Sequence, residues 1–97
     1  MDERIEILAR RARRLRADGE FRKAANAYGE LTSIEPRAGR WWVLLGAMLR
    51  ESNRVEPAIK ALRQAAFVFH RAGEGTREVT TRKLLVGFAS GSTAIAA

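Results

Sequence analysis

Apolar residues recur along this chain at steps of three and four, the spacing of one face of an α-helix. Between Ile5 and Leu15 the stripe is Ile5, Leu8, Ala12 and Leu15. Asp18-Gly19 interrupts it, and Gly19 suits the left-handed residue at which many helices end. A second stripe, Phe21, Ala24, Ala25, Tyr28 and Leu31, stops before Pro36, which a helix interior would not tolerate. The third segment runs from about Arg40 to Arg50 with Trp42, Leu45, Gly46 and Leu49 on one face, and Ser52-Asn53 reads as a turn. Pro57 then falls in the first turn of a fourth helix, the helical place proline fits, and Ile59, Leu62, Ala65, Ala66 and Phe69 continue it. After the break at Gly73-Glu74-Gly75 a fifth helix is predicted from Thr76 to about Phe88. Ala89 to Ala97, uncharged and built of Ala, Ser, Gly, Thr and Ile, is expected to be a flexible tail. No segment alternates as a strand would, so the expectation is one all-α domain over residues 1–88.

The stripes also repeat. Displaced by about 34 residues, the chain meets itself. Leu8 falls on Trp42, Ala12 on Gly46, Leu15 on Leu49, Gly19 on Asn53, Ala24 on Ala58, Tyr28 on Leu62 and Leu31 on Ala65. Apolar meets apolar, small meets small and turn meets turn. Small residues at 12, 24, 46 and 58 would let paired helices approach closely.

Trp42, Leu45, Gly46 and Leu49, followed by Ala58 and Leu62, resemble the signature of the tetratricopeptide repeat (TPR) family, as do Leu8, Ala12, Leu15, Ala24, Tyr28 and Pro36. The match departs from the family at Arg11, where the family has Leu, and at His70, where it closes with Pro. The resemblance covers about residues 5–72. It implies two antiparallel hairpins, about 5–38 and 39–72, stacked as a short solenoid, with 76–88 as a capping helix. It further implies a protein-binding adaptor or scaffold, such as a small chaperone-like subunit or assembly factor, with a concave face lined by the first helix of each pair. On that face it would place Glu6, Ala9, Arg13, Arg16 and Ala17, then Arg40, Val43, Ala47 and Arg50, then Glu74, Arg77 and Thr81. Arg13, Arg16, Arg40 and Arg50 would form a basic groove for an acidic peptide or helix. The carboxylate clamp of chaperone-binding members would fall on Ala9, Arg13, Leu44, Glu74 and Glu78, of which only Arg13 is cationic, so that mode is not expected.

Charge sharpens the choice of partner. The 97 residues carry a net charge of +7, and only Lys23, Lys60 and Lys83 are lysine among the basic residues. Acidic partners are favoured, although codon bias would give the same arginine excess. Nucleic acid is the rival, through Arg10, Arg11, Arg13, Arg14 and Arg16 of the first helix. Those side chains point around the helix, Glu3, Glu6, Asp18 and Glu20 dilute them, and no aromatic is interleaved, so nucleic acid is disfavoured. The same helix lacks the Trp/Phe face of a membrane-surface helix.

Two further candidates are apolar. Leu84, Leu85, Val86 and Phe88 crowd the fifth helix, and Leu84, Leu85 and Phe88 are expected to offer a hydrophobic contact to a partner or a second copy. Trp41 lies about 100° around its helix from Trp42, so it packs toward the preceding repeat or stands exposed as an interface anchor.

Catalytic chemistry is not expected. There is no cysteine, one histidine (His70), and two aspartates, Asp2 and Asp18, at a terminus and in a turn. This excludes thiolate metal sites, gives no metal or cofactor set, and leaves His70 the ordinary role of favouring a helix C-terminus. The charged start, Met1-Asp2-Glu3-Arg4, argues against a secretory leader, and no apolar run is long enough to span a bilayer, so a cytoplasmic location is expected.

Overall fold

The computed structural model describes the backbone of residues 2–96 and the side chains of residues 2–88. Five helices follow one another: α1 Glu3–Ala17, α2 Phe21–Ile34, α3 Gly39–Glu51, α4 Val55–Arg71 and α5 Gly75–Ala96. No strand occurs among the described residues, so the chain is all-α.

Local chemistry sets the ends. Asp2 caps α1 by accepting the Arg4 backbone N–H at 2.9 Å. Glu3 and Glu6 lie in its first turn and Arg14 and Arg16 in its last, each complementing the helix dipole. Three turns share one device. Gly19 (φ 76°), Asn53 (φ 63°) and Gly73 (φ 72°) adopt the left-handed conformation. The next residue's N–H then reaches back five positions, from Glu20 to Leu15 O (2.9 Å), Arg54 to Leu49 O (2.8 Å) and Glu74 to Phe69 O (2.9 Å). This satisfies carbonyls that the helix end would otherwise leave free. The α2–α3 connection differs: it runs through Glu35-Pro36-Arg37-Ala38 without a left-handed residue.

Each helix packs on the next, giving a flat molecule of 45 × 33 × 17 Å. Alanine dominates the seams, with Ala12, Ala24, Ala58 and Ala65 fully buried, and Tyr28, Leu31 and Leu62 are the largest fully buried side chains. The expected close approach is present at Gly46, where a Cβ would stand 3.1 Å from two carbons of Leu62 and 3.2 Å from the Ala58 carbonyl. One buried polar atom, the Tyr28 hydroxyl, has no hydrogen-bond partner among the described residues.

Of the two places expected for Trp41, packed toward the preceding repeat or exposed as an interface anchor, it takes the first: it is buried at 6 % exposure and is not open to a partner. It stacks on Tyr28 of the preceding hairpin, centroids 6.3 Å apart, and donates from Nε1 to Glu35 Oε1 at 2.7 Å. Trp42 is the half-buried one, its Nε1 bonded to the Pro36 carbonyl at 2.9 Å. Position 41 thus makes the stacking contact with α2, while Trp42 packs partly buried against the core. In addition, α5 continues to Ala96 rather than ending near Phe88. No proline or glycine pair interrupts 89–96, and alanine favours the helix. The side chains expected in a flexible tail, residues 89–97, lie outside the described side chains.

Among the described residues no helix is long and apolar enough to cross a membrane.

Candidate functional site

Helix α5 touches the body along Glu78, Thr81, Leu85 and Phe88, which are its least exposed described residues. Thr81 is buried and its hydroxyl donates to the Arg77 carbonyl at 2.7 Å, so that hydroxyl is not left unpaired in the seam. Glu78 fastens the seam's upper end. Its Oε2 accepts from Arg82 Nε at 3.0 Å, and its Oε1 lies 3.1 Å from Nδ1 of His70 at the end of α4. The Arg82 guanidinium and then His70 hold the Glu78 carboxyl below its ordinary range.

Between α3 and this docked α5 lies a hollow of about 380 Å³. Val43, Leu44, Phe69 and Leu84 supply its apolar surface; Arg40 and Arg77 are its cations, and Thr76, Thr80 and Thr81 complete the wall. Arg40 sits 4.4 Å above the Trp41 ring and 3.6 Å from Glu35, while Arg77 lies 3.3 Å from Glu74. These arginines are thus aimed by contacts on their own sides and remain exposed at their tips.

The structure therefore gathers Arg40, Val43 and Leu84 of the sequence-predicted residues, together with Arg77 and Thr81. Arg50 lies farther along α3, its guanidinium 4.6 Å above the ring of Phe88, and Leu85 is half-buried. Arg13 and Arg16 are exposed on α1 and line no part of this hollow. Like Arg10, Arg11 and Arg14, they form no ion pair among the described residues. Of the positions at which the TPR resemblance would put a clamp, Ala9 is buried, Leu44 belongs to the hollow, and Glu74 and Glu78 are held by Arg77 and by Arg82 with His70. No group of three or more His, Cys, Asp or Glu that could hold a metal occurs among the described residues.

No family model matches this sequence, and no curated protein matches it.

Phe67 escaped the sequence reading. It is 56 % exposed and borders a second hollow of about 600 Å³ against the α2–α3 connection. The signal was present, because Phe67 lies off the stripe that Leu62, Ala65, Ala66 and Phe69 form.

Proposed function

We propose that this chain is a TPR-type protein-binding module, an adaptor rather than a catalyst, that takes an acidic peptide or helix in the hollow between α3 and α5. The observation that carries the reading is an apolar floor (Val43, Leu44, Phe69 and Leu84) rimmed by Arg40 and Arg77. An apolar side chain of the ligand would sit on that floor while its carboxylates meet the two guanidinium groups. Both arginines keep more than half of their side chains exposed, and surface ion pairs are worth about 0–1 kcal/mol each, so a ligand carboxylate can displace Glu74 and can share Arg40 with Glu35, which Trp41 also holds. Arg50, and Arg13 and Arg16 on α1, extend the positive field and speed encounter more than they add contact. The TPR assignment itself is supported by the internal repeat and by the matching left-handed turns at Gly19 and Asn53. A cytoplasmic setting accords with the absence of cysteine.

Self-assembly is a second reading, favoured by Val79, Leu84 and Val86, which are 54 %, 41 % and 65 % exposed on α5. The two readings separate by amide chemical-shift mapping with an acidic, leucine-containing peptide. Shifts confined to α3 and α5 around Arg40 and Arg77 are expected. Shifts spread evenly over the surface would refute the groove. A mass above 10.8 kDa by light scattering, lost on Val86→Asp, would instead establish self-assembly.

A further inference from the structure

We propose that the outer face of α4 binds single-stranded RNA, with Phe67 as a stacking platform for a base and the surrounding cations as phosphate contacts. Lys60, Arg63, Phe67 and Arg71 follow one another at steps of three and four, so they share a stripe, and all are exposed. Arg37 of the α2–α3 connection joins Phe67, Gln64 and Arg71 around the hollow of about 600 Å³. None of Arg37, Lys60, Arg63 and Arg71 forms an ion pair among the described residues. Their charge is therefore unspent, unlike that of Arg40 and Arg77.

The internal repeat argues that this face is not a packing requirement. The matching positions on α2 are Asn26 for Lys60, Gly29 for Arg63, Glu30 for Gln64 and Ser33 for Phe67. The equivalent helix buries its inner face with no exposed aromatic and with no cation at the places of Lys60 and Arg63, and it has an acid, Glu30, at the place of Gln64. An exposed aromatic among unpaired cations is the arrangement on which bases stack while phosphates are neutralised. A peptide helix would need a row of large apolar anchors along the groove, and Phe67 is the one large exposed apolar side chain here, with Pro36, Val68 and Ala72 beside it in the hollow. Gln64, one turn before Phe67, both donates and accepts, which fits a ribose 2′-hydroxyl and favours RNA over DNA.

The test is fluorescence anisotropy with a fluorescein-labelled oligouridylate over a series of salt concentrations, with circular dichroism on each variant. Phe67→Ala and Phe67→Leu should keep the helical spectrum and weaken binding roughly five- to a hundredfold, the loss of one stacked base, with little change in salt dependence. Arg63→Glu with Arg71→Glu should weaken binding and flatten the salt slope. The oligodeoxyuridylate should bind less tightly than its ribose counterpart, and Gln64→Ala should narrow that gap. No binding at low salt, or affinity indifferent to Phe67, would overturn the proposal. So would equal binding of the two sugars. A labelled polyglutamate that bound with the same dependence on Phe67 would overturn it as well, and would make this face a site for acidic peptides.

Discussion

On α2, Ala24, Tyr28 and Leu31 are buried; on α4, Ala58, Leu62 and Ala65 hold the corresponding places, and all six are fully enclosed. Turned outward, the corresponding places of the same two helices differ. α2 presents Asn26, Glu30 and Ser33, whereas α4 presents Lys60, Gln64 and Phe67. Stacking neighbours restrict the inner positions to residues that fill one seam, and solvent places no such demand on the outer ones. Where a repeat is kept it reports packing, and where it is lost the residues are free to serve a ligand.

The inner match is broken most severely at its centre. Leu62→Ala removes the side chain that meets Gly46, and a loss of about 2–5 kcal/mol is expected in urea unfolding. In a chain of this size that is a large share of the total. Gly46→Ala should cost about 1–3 kcal/mol, because the new Cβ needs Leu62 and the Ala58 carbonyl to give way. The matching Ala12 already carries its Cβ in a fully buried position, so the two hairpins differ here in how close their helices run. Tyr28→Phe should raise stability by about 1 kcal/mol, since its buried hydroxyl has no partner among the described residues and Leu62 fills the equivalent place without one. Phe67→Ser, which makes the outer face of α4 resemble that of α2, should leave stability within about 0.5 kcal/mol of the starting protein.

Acid should act on α5 more weakly still. Glu78 has its carboxyl held below the ordinary value of 4.5 by Arg82 and His70. A depressed carboxyl stabilises the fold above its unfolded value, and that contribution is lost as pH falls through the lower folded value. Melting temperature should therefore drop in the acid range below 4.5, and Glu78→Gln should flatten that part of the profile.

Most of the helical frame was legible, for physical reasons. The stripes of three and four, the turn residues Gly19, Asn53 and Gly73, and the small residues at 12, 24, 46 and 58 each leave a local mark in sequence. The order of Trp41 and Trp42 left none, because it depends on how α3 is set against α2. The continuation of α5 was hidden because its last residues lack the apolar stripe that marks the other helices. In the candidate groove, Arg40, Val43, Arg77 and Thr81 were expected as inner positions, and Leu84 as part of a separate apolar contact. The pairing of Arg40 with Glu35 and of Arg77 with Glu74, and the separation of Arg13 and Arg16 from the hollow, depend on side-chain placement in three dimensions.

The most direct test of the binding account is a calorimetric titration of an acidic, leucine-containing helical peptide into the protein and into the Arg40→Glu, Arg77→Glu double variant. With both proteins equally helical, the account predicts saturable binding to the first and a loss of tenfold or more in the second, about 1.4 kcal/mol or greater. Equal affinity for the two proteins would contradict it.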